Sequence, residues 1–149
     1  KVSIILPDSA LTYTEHLRAG MARAAAEAGI AHEFAGDVNL GSATDAIRNY
    51  VMKRAKRPDP PDGYVCASEV SALAVIGALT DAGLVLGQNA HVVTKQSTSM
   101  FMQFRPNAET VQEDFSDAGR NLGRILLKQI AGDTEGLHYL AQPKFDWKD

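Results

Sequence analysis

The stretch Pro61–Gln96, PDGYVCASEVSALAVIGALTDAGLVLGQNAHVVTKQ, decides the fold of this chain. An apolar run at Gly63–Ala67 predicts a buried strand, and Ser68 is a good N-cap for a helix over Glu69–Ala82. A second apolar run, His91–Thr94, predicts the next strand. The stretch is therefore a strand–helix–strand crossover, and polar residues follow both strands. Ligands of open parallel sheets bind at those carboxyl ends.

The same alternation continues on both sides of this crossover. Short apolar runs predict strands at Val2–Leu6 and Ile30–Phe34, and Glu109–Gln112 is expected to be extended. Helices are predicted from a capping box at Thr12–Glu15 to Gly29, at Ala43–Lys56 with Ser42 as N-cap, and at Phe115–Ala131 with Asp114 as N-cap. Lys95–Ala108 is predicted to be a polar loop, and the residues through Trp147 a loop with a short strand. This order predicts an α/β fold, an open parallel sheet with helices on both faces.

Composition narrows the class of protein. The chain has 149 residues, 45% hydrophobic and 22% charged, and a formal net charge of -3, which is typical of one globular domain and unfavourable for nucleic-acid binding. The basic run Lys53–Arg57 is more typical of a solvated helix end than of a phosphate site. A single Cys66 excludes an internal disulfide and fits a cytoplasmic protein. The chain begins inside a strand at Lys1, without Met, signal peptide or membrane span, so we expect a fragment of a longer protein.

The residues favour binding over catalysis. No glycine-rich phosphate loop follows the first strand, and the four histidines lack metal-ligand spacing, so we predict neither cofactor nor metal. Cys66 lies inside a strand, and Ser68 lacks the glycines of a nucleophile elbow. Asp8 and Ser9 follow the first strand, Ser68 the third and Gln96 the fourth. Such hydroxyl, amide and carboxylate groups at one sheet edge suit a small polar ligand such as a sugar.

Several motifs, in order and spacing, resemble the LacI/GalR family of transcriptional regulators. They are Arg18-Ala19-Gly20-Met21, Pro61-Asp62, Ala67-Ser68-Glu69, Ser71-Ala72-Leu73-Ala74, Gly83-Leu84-Val85-Leu86-Gly87, Val92-Val93-Thr94-Lys95-Gln96 and Thr110-Val111-Gln112-Glu113-Asp114-Phe115. The resemblance implies the C-terminal lobe of an effector-binding core with the type I periplasmic-binding-protein-like fold. It implies that residues 109–142 cross to the other lobe, with the DNA-binding head outside this chain.

The resemblance also implies ligand-binding residues. The family's effector-binding Asn is Ser68 here, and its Asp after the fourth strand is Gln96. Its Arg on the first helix is Leu17, with Arg18 one place later and about 100° around the helix. Phe115 stands where the family often places an apolar wall. With Asp8 and Ser9, these residues form the predicted site, and the changed contacts indicate that common sugars are not bound in the common way.

A second surface is predicted for dimerisation. The helix Glu69–Ala82 is apolar almost all round, which indicates burial on two sides. In the resembling family this lobe forms the dimer interface, and the residues expected there are Leu73, Ile76, Phe101 and Met102. The alternative is an ordinary core helix under a mobile loop. The apolar face of Phe115–Ala131, read as Phe115, Ala118, Leu122, Ile125 and Leu126, is expected to pair or swap with another chain or to fold back on its own sheet.

The function predicted from these observations is ligand-controlled transcription regulation. A homodimer would sense a sugar or related metabolite and would reach operator DNA only through a helix-turn-helix head outside this chain. The alternative is a periplasmic sugar-binding transport receptor, which shares the two-lobe architecture. An enzyme is the least favoured class, because no nucleophile–base or metal constellation is visible.

Overall fold

A computed structural model describes residues 1–146, which form one six-stranded sheet with five helices; Trp147 lies outside the described residues. The strands are β1 Val2–Ile5, β2 His32–Phe34, β3 Gly63–Cys66, β4 His91–Gln96, β5 Glu109–Gln112 and β6 Lys144–Asp146. The helices are α1 Thr14–Glu27, α2 Thr44–Ala55, α3 Glu69–Asp81, α4 Met100–Phe104 and α5 Phe115–Ile130. The spatial order is β2-β1-β3-β4-β5-β6, with only β6 antiparallel among these strands. The predicted α/β fold is confirmed.

One face of the sheet carries the buried core. Ser3, Tyr64 and Val92 stand side by side in register on β1, β3 and β4, and all are buried. Helices α2 and α3 pack against each other on this face, and Ile47 and Val75 are among their fully buried residues. The apolar character of α3, which predicts burial on more than one side, is explained in large part by this packing.

Helix α1 lies on the opposite face. Ser3 pairs in register with Glu33, and the side chains of both face α2. The next pair, Ile4 and Phe34, points to the opposite face, because side chains alternate along a strand. The Arg18 guanidinium lies 4.4 Å from the Phe34 ring centre, which places α1 there. Helices therefore cover both faces, as predicted. On the α1 face Val65 and Val93 are only half-buried.

The strand order reverses beside β1. The chain passes from β1 to β2 on one side and then returns across β1 to β3, β4 and β5 on the other. Such a reversal opens a crevice between the carboxyl ends of the two strands at which it occurs. Here those strands are β1 and β3, and they deliver Asp8 and Ser68 to the same edge.

Two of the four predicted helix caps are confirmed. Ser68 Oγ accepts the Ser71 amide at 3.2 Å, and an Asp114 carboxylate oxygen accepts the Asp117 amide at 2.8 Å. The other two predictions, Thr12 and Ser42, are wrong. A turn of Asp8–Leu11 runs directly into α1, so Tyr13 is already helical at the N-cap and no extended cap residue exists. Ser42 Oγ instead accepts the amide of Asn39, and Ala43 occupies the N-cap of α2.

The predicted polar loop after β4 contains a helix. Helix α4 spans Met100–Phe104, and it buries Phe101 while Met100 and Phe104 stay exposed. A single turn with one anchoring aromatic residue is too short to show helical periodicity in sequence. Helix α4 begins two residues after Thr98, so it lies next to the sheet edge formed by the carboxyl ends of the strands.

Helix α5 does not bury the face that its sequence indicates. None of its sixteen residues is buried; Phe115, Leu122 and Leu126 are exposed, and Ala118 and Ile125 are half-buried. The expectation that this face points inward is therefore wrong for the described residues 1–146, and the helix has not folded back on its own sheet. In the same residues no helix combines the length and apolarity needed to cross a membrane.

Candidate ligand-binding rim

The carboxyl ends of β1, β3 and β4 form a row that we call the rim, defined by Asp8, Ser9, Ser68 and Gln96. The three strands are neighbours in the sheet. With a strand spacing of about 4.8 Å, the rim extends about 10 Å from β1 to β4.

At the β1 end of the rim, a tight turn displays two exposed polar side chains. Asp8 accepts the Ala10 amide on its carboxylate at 2.9 Å, and its carbonyl oxygen accepts the Thr14 hydroxyl at 2.8 Å. Thr14 is fully buried, so this bond anchors the turn to the start of α1. Ser9 follows in the same turn and is exposed. The turn is held by its own bonds and presents Asp8 and Ser9 towards solvent.

A cavity of about 180 Å³ opens beside this turn. Its polar lining is Ser9, Arg18, Asp37 and Asn39. Leu17, the neighbour of Arg18 on α1, is 36% exposed and is not among the lining residues. The cavity therefore brings together Ser9 and Arg18, two of the residues in the predicted site, and adds two residues that the sequence analysis did not name. The signal for Asp37 and Asn39 was their place after β2, whose carboxyl end lies at the same edge.

Ser68 occupies the centre of the rim and serves the helix as well. Its hydroxyl accepts the Ser71 amide and lies 3.0 Å from Ser71 Oγ, while Ser71 Oγ donates to the Ser68 carbonyl at 2.8 Å. The side chain is half-buried. Ser68 therefore has a fixed position, from which its hydroxyl can also meet a ligand.

Gln96 is held in the turn that follows β4. It is only 6% exposed, and its Nε2 donates to the Thr98 carbonyl oxygen at 2.7 Å. The Glu69 carboxylate accepts the amides of Ser97 and Thr98 at 3.3 and 3.1 Å. Sequence analysis does not predict the contact between Glu69 and Thr98, because a contact across 29 positions leaves no local signal.

Phe115 lies beyond the β4 end of the rim. It is 58% exposed, and the Lys95 ammonium lies 5.5 Å from its ring centre and 3.1 Å from a Glu113 carboxylate oxygen. Phe115 and Glu113 line a cavity of about 280 Å³ with Asp114, Ala118, Ala141, Gln142 and Pro143. The structure thus places Phe115 at the far end of the same edge, in a separate cavity from Arg18.

The rim can form reversible hydrogen bonds, and the nearby cysteine is unsuited to attack a substrate. Burial raises the pKa of the Cys66 thiol to about 12, so the thiol stays protonated at neutral pH. No cluster of three or more His, Cys, Asp or Glu side chains within residues 1–146 is arranged to hold a metal ion. What the edge offers a ligand is a set of hydroxyl, amide and charged groups.

The residues predicted for dimerisation separate into two sets. Ile76 and Phe101 are buried inside the subunit at 4% and 3% exposure, and Met102 is half-buried against the core. Leu73 is 41% exposed. Other exposed apolar side chains stand nearby on α3, α4 and the loop after α3, and we call the set the α3–α4 surface: Val70, Leu73, Val85, Met100 and Phe104.

Residues 1–144 match the model of the periplasmic binding protein-like domain. The chain belongs to the periplasmic binding protein-like domain family. This match accounts for nearly the whole described sheet, including the rim and both cavities.

Relatives of this domain include a curated regulator and solved structures. The HTH-type transcriptional regulator AglR of Rhizobium meliloti (strain 1021) is 28% identical over 134 residues, which cover 87% of this chain and 37% of AglR. A regulatory protein of the LacI family from Chloroflexus aggregans has a TM-score of 0.83 at 17% identity, covering 97% of this chain and 52% of that one. The transcriptional regulator CelR in complex with cellobiose has a TM-score of 0.74 at 20% identity, covering 98% and 45%. The resemblance to the LacI/GalR family is confirmed, and the chain spans about half or less of these proteins.

Proposed function

We propose that this periplasmic binding protein-like domain is the effector-binding and dimerisation part of a LacI-type transcriptional regulator. The observation that carries the proposal is the rim: a row of polar side chains at the carboxyl ends of β1, β3 and β4, at the point where the strand order reverses. The similarity to AglR, a transcriptional regulator, supports the same role.

The ligand we propose is a small polar molecule of the sugar class. The rim offers a carboxylate, two hydroxyls and an amide, and Arg18 and Phe115 stand at its two ends. Sugars bind through such mixed polar groups combined with an aromatic or apolar wall. A neighbour of the same fold, CelR, holds cellobiose. The proposed contacts are Asp8, Ser9, Leu17, Arg18, Ser68, Gln96 and Phe115, with Asp37 and Asn39 added by the cavity.

The proposed mechanism is a shift between two arrangements of two lobes. Residues 109–142 would cross to a second lobe, and the exposed apolar face of α5 supports this because it offers an uncovered surface to that lobe. A ligand that binds the closed arrangement more tightly moves the equilibrium towards it. DNA-binding heads outside this chain would then change their spacing on operator DNA, which requires a cytoplasmic protein. In this proposal the domain binds its ligand without converting it.

We further propose a homodimer formed through the α3–α4 surface. Five exposed apolar side chains lie on α3, on α4 and in the loop after α3, and Val85 and Phe104 line one shallow cavity with Ile76. Exposed apolar patches mark interaction sites on soluble domains. Leu73 and Met102 would contact the partner, while Ile76 and Phe101 would support them from beneath. The same patch favours a regulator over the alternative, a periplasmic transport receptor, because receptors of that kind are typically monomers.

A thermal-shift screen of the protein against sugars, polyols and nucleosides tests the ligand proposal. A ligand at about one hundred times its dissociation constant should stabilise the native state by about 2.7 kcal/mol. Gln96→Ala should weaken that shift, and Asp45→Ala, a change in the first turn of α2, should leave it intact. A flat screen with a folded protein would overturn the sugar class.

A further inference from the structure

All three polar groups of Thr98 form hydrogen bonds with two side chains, those of Glu69 and Gln96. Its amide and hydroxyl both donate to the Glu69 carboxylate, at 3.1 and 3.2 Å. Its carbonyl oxygen accepts Nε2 of Gln96 at 2.7 Å. The Ser97 amide adds a further bond to Glu69 at 3.3 Å. The turn between β4 and α4 is therefore held from both sides, by the first residue of α3 and by the last residue of β4.

The two ends of this arrangement lie on different proposed surfaces. Gln96 belongs to the rim and is almost fully buried. Met100, the first residue of α4, follows Thr98 by two positions and is exposed on the α3–α4 surface, as is Phe104 one turn later. A displacement of the turn therefore moves α4 relative to α3.

We propose that Glu69 is the positioning residue that couples the rim to the α3–α4 surface through Thr98. The proposal rests on the function proposed above, since it concerns the same ligand edge and the same dimer surface. A carboxylate that accepts three donors holds the turn more firmly than a neutral side chain, because charged acceptors form the stronger hydrogen bonds. Its place in the first turn of α3 further favours the negative charge.

The consequence for ligand binding follows from the chemistry of Gln96. Gln96 Nε2 carries two N–H groups, and one of them donates to the Thr98 carbonyl oxygen. A ligand oxygen that draws the amide group towards the rim takes Nε2 away from that carbonyl. Occupancy of the rim then loosens one side of the turn, while Glu69 keeps the other side fixed. The turn can shift as a unit, and α4 moves with it without unfolding.

Amide hydrogen exchange on the ligand-free protein tests the coupling directly. Glu69→Ala should accelerate exchange at Ser97 and Thr98 about tenfold, because hydrogen bonds to a charged acceptor are lost. The acceleration should extend to the amides of Met100–Phe104. Gln96→Leu, which removes the Nε2 donor, should accelerate exchange over the same segment. Thr98→Val, which removes the hydroxyl, should accelerate exchange at the same amides less than Glu69→Ala does. Thr98→Ser keeps the hydroxyl, so exchange in this variant should stay as slow as in the wild type.

Asp45→Ala is the matched control, since it removes a carboxylate from the first turn of a different helix, α2. It should leave their exchange unchanged. Acceleration confined to Ser97 and Thr98, with Met100–Phe104 unaffected, would overturn the coupling and leave Glu69 as an ordinary turn contact. An effect of Gln96→Leu that stays within Gln96 would do the same.

The test separates this inference from the proposed function. Exchange is measured without ligand, so a coupled response in a protein that gives a flat sugar screen would retain the coupling and reject the sugar class. A saturable thermal shift in a protein without coupled exchange would retain the ligand site and reject the role of Glu69. A sedimentation measurement of Glu69→Ala then asks whether the dimer dissociation constant rises, as the coupling requires.

Discussion

The Tyr50 hydroxyl lies 2.8 Å from Ser3 Oγ in the buried layer between α2 and β1. The same hydroxyl is 3.3 Å from a Glu33 carboxylate oxygen, whose other close partner is the Arg54 guanidinium at 2.6 Å. Ser3 can therefore donate to Tyr50, and Tyr50 to Glu33. This chain of bonds fixes α2 against the sheet at the edge opposite the rim, and it satisfies a serine with no solvent exposure.

Tyr50→Phe should lower the free energy of unfolding by about 1–2 kcal/mol, because it leaves the buried Ser3 hydroxyl without its partner. Urea unfolding followed by circular dichroism measures the change. Tyr13→Phe is the control: Tyr13 is half exposed, and its change should stay within about 0.5 kcal/mol. Equal effects of the two substitutions would contradict the role of the Ser3–Tyr50 bond.

The Cys66 thiol should titrate only in strong alkali. Burial raises its pKa to about 12 in the folded chain, against an ordinary value near 9. The unfolded chain therefore loses this proton first, and stability that is fully present below pH 9 falls as the pH rises towards 12. The slope is at most about 1.4 kcal/mol per pH unit.

Urea unfolding of the wild type and of Cys66→Ala between pH 8 and pH 11 measures this dependence. The variant should lose less stability above pH 9 than the wild type does. The folded wild type should also resist thiol-labelling reagents at pH 8 and react once unfolded. Rapid labelling of the native protein would contradict the burial of Cys66 as the cause.

Sequence predicted the elements that have strong local signals. The strands of the Pro61–Gln96 crossover, the cap at Ser68 and the cap at Asp114 all depend on residues within a few positions of one another. The caps at Thr12 and Ser42 failed because neighbouring turns compete for the same groups. We expect Ser68→Ala to cost about 1 kcal/mol and Thr12→Ala far less, as equilibrium unfolding can measure.

The candidate site was predictable only where strand order decides it. Asp8, Ser9, Ser68 and Gln96 follow from the rule that ligands bind at carboxyl ends of parallel strands. To predict that Asp37 and Asn39 also line the site, one must know that β2 is the neighbour of β1 in the sheet. The Glu69–Thr98 contact and helix α4 depend on tertiary packing across nearly thirty positions, and no periodicity reports such a contact.

Leu73 and Ile76 should respond differently to substitution. Leu73→Glu places a charge on the exposed α3–α4 surface, so it should dissociate the proposed dimer without lowering the thermal stability of the monomer. Ile76→Ala removes buried apolar volume and should cost about 2–5 kcal/mol of stability. Sedimentation velocity measures the first effect, with Leu73→Glu made on a Leu122→Ser, Leu126→Ser background so that the α5 face does not contribute, and urea unfolding measures the second. A monomeric wild type at micromolar concentration would reject the dimer.

The exposed apolar face of α5 should make this 149-residue protein associate. Leu122, Leu126, Leu127 and Ile130 are all more than half exposed on one helix. Exposed apolar patches of this kind mark interaction sites or cause association. The double variant Leu122→Ser, Leu126→Ser should raise the dissociation constant for self-association at least about tenfold, because two leucines buried in a contact contribute several kcal/mol. Sedimentation velocity over a range of protein concentrations measures this constant. Because the face is uncovered within the subunit, the thermal midpoint should hardly change.

Arg124→Ser is the matched control on the far side of the same helix, and it should leave association unchanged. The dimer through the α3–α4 surface must be removed from the measurement, so both variants are best made on the Leu73→Glu background. Association that persists in the double serine variant would show that α5 is not the contact. A lower thermal midpoint together with weaker association would indicate instead that α5 packs against its own subunit in solution.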